Sequence, residues 1–215
     1  MNFLLTYNLL ENLTEASENI SEAKRVISDT DALYHFTGPL ALFNIFDDNA
    51  LKANVHGDGV CFTTDRDYTI YGYPCGIRVS RKKLEQAGYV LELYDEFPDE
   101  KGSGESEERV YETITNLTDY TTFVYIDWDH ISIIPSSSGW RVVGAKYDTV
   151  DPEMPEEDDF SLYIEDFQDL LQWIRNKGIK VSEIGEPVYD RMQYLEDDGT
   201  ITVGEEAYQK SLNIA

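Results

Sequence analysis

The sequence predicts an α+β domain with a mixed, largely antiparallel sheet of about seven short strands, an N-terminal helix and a C-terminal helical extension. Three observations carry this. Short β-type runs recur through the middle of the chain without the regular helical crossovers that a doubly wound parallel sheet needs. Helical periodicity is confined to a few segments. The 215 residues, 41% hydrophobic and 13% aromatic, are enough for one substantial core, so strong acidity does not imply disorder.

The elements follow in chain order. Residues 8–28 place Leu9, Leu10, Leu13, Ala16, Ile20, Ala23, Val26 and Ile27 at three- and four-residue spacings, with acidic residues early and Lys24-Arg25 late, as a helix dipole favours. "LYHFT" is an aromatic-rich strand, and "GPLALFNIFDDN" a helix of two or three turns with Pro39 in its first turn. After the turn "NVHGDG", "VCFTT" and "CGIRVS" are strands, "SRKKLEQAGY" a helix capped by Ser80 and stopped at Gly88, and "YVLELY" a strand. "DEFPDEKGSGESEE" has loop composition. "RVYETI", "TTFVYIDW", "HISIIP" and "WRVVGAKY" supply further strands. "DPEMPEEDD" is a linker, and beyond it Phe160, Tyr163, Ile164, Phe167, Leu170, Leu171 and Ile174 mark one face of a helix ending at Gly178. The expected organisation is thus a helical segment over 1–30, a core over 31–150, and an acidic linker with a helical extension over 151–215.

The formal charge of −25 is the most unusual global property. Residues 151–215 hold 17 acidic and 5 basic side chains, residues 31–150 hold 20 and 10. Such a field repels phosphate backbones and argues against nucleic acid as a partner. No run of eighteen apolar residues exists to cross a membrane. The start, "MNFLLTYNLLENL", lacks the basic region and cleavage site of a secretory leader, so a cytosolic chain with Cys61 and Cys75 reduced is expected. Neither cysteine has a CxxC partner and His35, His56 and His130 are far apart, so no metal is expected.

GxSxG, Walker, GxGxxG and HExxH signatures are absent. What remains is an ordered set: "LYHFTG", then "GVCFTTDRDYTIYGY", then "ESEERVYETI". This set resembles the ADP-ribosyltransferase fold, and within it the branch of DarT-type DNA-modifying toxins and related phage proteins, over about residues 31–135. The resemblance implies NAD as co-substrate and a cleft whose nicotinamide end is built on the first two of these strands. It aligns His35 and Thr37 with the histidine and small polar residue of the first strand, and Thr63 and Thr64 with the polar end of the next. Near pH 7 a neutral imidazole can exchange a hydrogen bond with a ribose hydroxyl. Arg66 is the candidate for the pyrophosphate, and Tyr71, with Tyr68 and Tyr73 beside it, for stacking on nicotinamide. The resemblance, aligned with the pattern E-x-x-V over "EERV", implies Glu107 as the catalytic carboxylate, with Glu105 as its E-x-E companion and Glu108 the remaining carboxylate of the run. Each residue also has an ordinary structural reading: a strand histidine, β-forming threonines, a surface arginine, an acidic loop tip.

The expected function is ADP-ribose transfer to a protein or small-molecule acceptor in the cytosol, the host's if the chain is phage-encoded. The missing basic surface argues against DNA as acceptor. The competing expectation is a non-enzymatic acidic binding protein on the same fold, a decoy for nucleic acid. The apolar face of the C-terminal helix is expected to be covered by the central domain, a second copy of the chain or a partner.

Overall fold

The computed structural model describes residues 31–53, 59–64, 73–94, 107–144, 161–189 and 192–213. The helix expected over 8–28 and the linker 151–159 lie outside the described residues.

The chain enters as β1 (Ala32–Thr37) and turns through Gly38 into α1 (Pro39–Asp47), where Pro39 occupies the first turn, whose amides have no intrahelical acceptor. A short β2 (Ala50–Leu51) precedes β3 (Val60–Thr63) and β4 (Cys75–Ser80). Ser80 closes β4 and caps α2 (Arg81–Gln86), its Oγ accepting from the Lys83 amide at 3.3 Å. Gly88, at φ +97°, ends that turn. Then come β5 (Glu92–Tyr94), β6 (Glu107–Val110), β7 (Ile114–Thr115), β8 (Thr121–Asp127), β9 (Ile131–Ser136) and β10 (Gly139–Gly144). The last part is β11 (Ser161–Tyr163), α3 (Ile164–Asn176), β12 (Lys180–Ile184), β13 (Gln193–Leu195), β14 (Ile201–Val203) and α4 (Glu205–Ser211).

Among the described residues the strands form a seven-stranded sheet in the order β12-β8-β4-β1-β3-β6-β5, a five-stranded sheet β11-β10-β9-β13-β14, and the pair β2-β7. Only β12 with β8 and β13 with β9 run parallel among the named strand pairs. The α+β, largely antiparallel architecture is as expected, with more strands than the seven anticipated.

In the large sheet, register assigns side chains to two faces. Leu33, His35 and Thr37 of β1 pair with Val79, Ile77 and Cys75 of β4, and Ile77 and Cys75 pair in turn with Val124 and Ile126 of β8. These aliphatic side chains, with Phe62 of β3, are buried. They join Leu42 and Phe46 of α1 and Phe167, Leu170, Leu171 and Ile174 of α3 in one core. The α3 face contributes roughly 1.5 to 3 kcal/mol per buried side chain before entropy costs. The Trp128 ring meets Phe167 edge-on at 5.6 Å, and Trp173 meets Phe46 at 6.3 Å, so α3 is wedged between the sheet end and α1.

Three expectations need correction. The C-terminal helix starts at Ile164, because Ser161–Tyr163 pair with β10 as β11. Tyr163 therefore leaves the helical face: the Arg141 guanidinium stacks on its ring at 4.2 Å and its hydroxyl donates to Ser138 Oγ at 2.6 Å. "RVYETI" is not one strand: β6 ends at Val110, and Ile114–Thr115 pairs instead with β2. Finally, the chain after residue 160 is no helical extension on a finished core. It adds β12 to the large sheet and β11, β13 and β14 to the other, so α3 is buried within the same body.

Candidate functional site

A cavity of about 510 Å³ opens between the end of β1, one face of α1 and the start of β3. His35 and Thr37 line it from β1. Ala41, Asn44 and Ile45 line it from α1 and Asp48 from the residue capping its C-terminus, at the i, i+3, i+4, i+7 spacing of a single stripe, while Leu42 and Phe46 point the other way into the core. Lys52 and Gly59 complete the rim together with residues of β2 and β3. Gly59 sits at φ +73°, and a Cβ there would lie 2.7 Å from the Val110 carbonyl oxygen, so only glycine lets β3 begin this close to β6.

The His35 ring lies edge-on to Phe62, with centroids 6.2 Å apart, and its Nδ1 is 3.0 Å from the Cys61 carbonyl oxygen. Desolvation holds its pKa below the ordinary histidine value, against the opposing effect of that hydrogen bond. A carbonyl can only accept, so in the neutral ring Nδ1 carries the proton and Nε2 is left as an acceptor. At the cavity, then, β1 offers an uncharged ring with one lone pair, and beside it the buried Thr37 hydroxyl.

The carboxylates are placed differently. Glu107 pairs with Thr63, which pairs with Tyr34; Glu108 pairs with Phe62. Since Phe62 and His35 rings touch, Glu108 shares the face of His35, and Glu107 lies on the opposite face. There Arg109 holds Glu107 through Nη2 at 2.9 Å and Nε at 3.2 Å. Alternation along β6 therefore separates the sequence candidates His35 and Glu107 onto opposite faces of the sheet. Glu108 is 3% exposed and forms an ion pair with the Arg81 guanidinium, itself nearly buried.

Of the other candidates, Thr63 follows Glu107 to the far face, and Thr64 is half-buried in the bend after β3. Glu105, Arg66 and Tyr71 lie outside the described residues. The structure thus brings together His35 and Thr37 and adds Asn44, Asp48 and Lys52, which reasoning from strand motifs passed over. The available signal was the stripe Ala41-Asn44-Ile45-Asp48, which keeps helical spacing but is half polar. Compared with known proteins, the chain matches no family model and no curated protein. None of the described helices is long and apolar enough to cross a membrane.

Proposed function

We propose that the chain is an NAD-dependent ADP-ribosyltransferase that holds the nicotinamide-ribose end of NAD in the cavity on His35 and Thr37. The observation that carries this reading is the contact of His35 Nδ1 with the Cys61 carbonyl oxygen, 3.0 Å away, which assigns the proton of the neutral ring to Nδ1 and leaves Nε2 to accept from a ribose hydroxyl. In the reaction the bond from ribose C1′ to nicotinamide breaks, nicotinamide leaves with the electron pair, and an acceptor nucleophile bonds to C1′ while losing its proton. Positive charge builds on the ribose in the transition state, which a carboxylate stabilises. Glu105, which precedes β6 and lies outside the described residues, is the sequence candidate that remains for this role, since Glu107 faces away and Glu108 is neutralised by Arg81.

The same two placements favour a second reading, an acidic binding protein without turnover, consistent with the charge of −25. One experiment separates the two. NAD at a hundredfold excess over its dissociation constant should stabilise the wild type by about 2.7 kcal/mol, read as a rise in melting temperature, and His35→Ala should lose most of it. Release of labelled nicotinamide by wild type supports the transferase. Stabilisation without release supports the silent binder, and no stabilisation overturns NAD binding altogether.

A further inference from the structure

The cavity changes character along its length. Thr37 is 7% exposed and His35 half-buried, whereas the Asp48 and Lys52 side chains are 46% and 69% exposed and form an ion pair at 2.6 Å. From Ala41 to Asp48 the stripe rises roughly 10 Å, the length scale of a ribosyl diphosphate. Lys52 is the one cation among the described lining residues. In a protein of charge −25, an anion entering this mouth needs a local positive charge to offset the surrounding field.

We infer that Lys52 is a phosphate-binding residue of the cavity, contacting the diphosphate of a dinucleotide whose ribosyl end lies at His35, and that Asp48 competes with the ligand for the same ammonium. The inference rests on the NAD reading and gives it a residue and a direction. Lysine suits the task as a compact charge on a flexible stem that can leave one oxyanion for another. Asp48, four residues before Lys52 and ion-paired with it, sets how much that exchange costs.

The test is calorimetric titration with NAD, ADP-ribose and nicotinamide of wild type, Lys52→Ala, Lys52→Arg, Asp48→Asn and His35→Ala, each checked for an unchanged melting curve without ligand. Loss of one partly exposed charge-assisted contact should weaken NAD and ADP-ribose by about tenfold in Lys52→Ala. Nicotinamide binding should be unaffected, and Lys52→Arg should retain most of the affinity. Asp48→Asn should act in the opposite sense and tighten both phosphate ligands by about threefold. If Lys52→Ala binds NAD like wild type while His35→Ala does not, the Lys52 assignment is overturned and the NAD reading stands. If Asp48→Asn weakens binding, Asp48 is a ligand contact and the competition is wrong. If wild type binds neither NAD nor ADP-ribose, both fall together.

Discussion

Replacing Arg81 by Met tests whether Glu108 is a structural carboxylate. Arg81 opens α2, its amide bonded to the Asp31 carbonyl at 2.8 Å, and its guanidinium reaches Glu108 on β6. The two side chains are 10% and 4% exposed. Methionine is similarly long and apolar, so packing is largely kept while the Glu108 charge is left in the interior without its partner. Removing one member of a buried pair costs about 3 to 5 kcal/mol. In a protein of this size each kcal/mol lowers the melting temperature by about 2 to 4 °C, so Arg81→Met should fall by about 6 to 20 °C. Glu108→Met should cost less, because Arg81 is the longer and more exposed partner and its head can move toward water. The double variant Arg81→Met/Glu108→Met should recover much of the loss, with a coupling energy above about 1 kcal/mol in a double-mutant cycle by chemical denaturation. Additive single losses, or an Arg81→Met change under about 1 kcal/mol, would refute the sealed pair. Glu108→Gln adds a functional arm. It should leave NAD consumption at the wild-type rate below both melting midpoints, and a folded Glu108→Gln protein that had lost nicotinamide release would make Glu108 catalytic.

Gly59→Ala should destabilise by about 1 to 3 kcal/mol, since it forces a side chain into positive φ and against the Val110 carbonyl; an unchanged denaturation midpoint would remove the close β3–β6 approach. His35 makes stability depend on pH with a definite sign. Its folded pKa is depressed, so the unfolded chain binds more protons, and the contribution is complete above the unfolded value near 6.5 and is lost as pH falls toward the folded one. Stability measured from pH 7.5 to 5 should therefore drop less steeply in His35→Gln than in wild type, and equal slopes would remove the desolvated neutral ring.

Much of the fold was legible because its signals are local. "CGIRVS" is β4 from Cys75 to Ser80, Ser80 is the cap of α2, Gly88 its stop, and Pro39 sits in the first turn of α1. These features depend on backbone chemistry within a few residues. The later strands carry no such mark. Lys180–Ile184 becomes a strand by pairing parallel with β8, fifty-odd positions earlier, and its burial pattern never alternates between buried and exposed. Ser161–Tyr163 merges in sequence with the apolar stripe of α3, and only the β10 edge turns it into a strand.

The site shows the same division at the scale of one residue. In "ESEERV" neighbouring carboxylates must point to opposite faces, and composition does not say which faces the core. The parity was present in Val110: a buried valine puts residue 108, two positions earlier, on its own side, and the third residue before it, Glu107, on the other. Reading E-x-x-V as a catalytic mark therefore selected the carboxylate that points away from the histidine. A carboxylate on the inner side has to be paired to be tolerated there, and Arg81 meets that requirement from the start of α2, where no motif links it to Glu108 across 27 positions. With that carboxylate committed to the interior, the polar side chains that join His35 and Thr37 around the cavity are Asn44, Asp48 and Lys52. Asn44 and Asp48 lie at helical spacing and Lys52 just past β2, which is why a reading built on the longer strand motifs stepped over them.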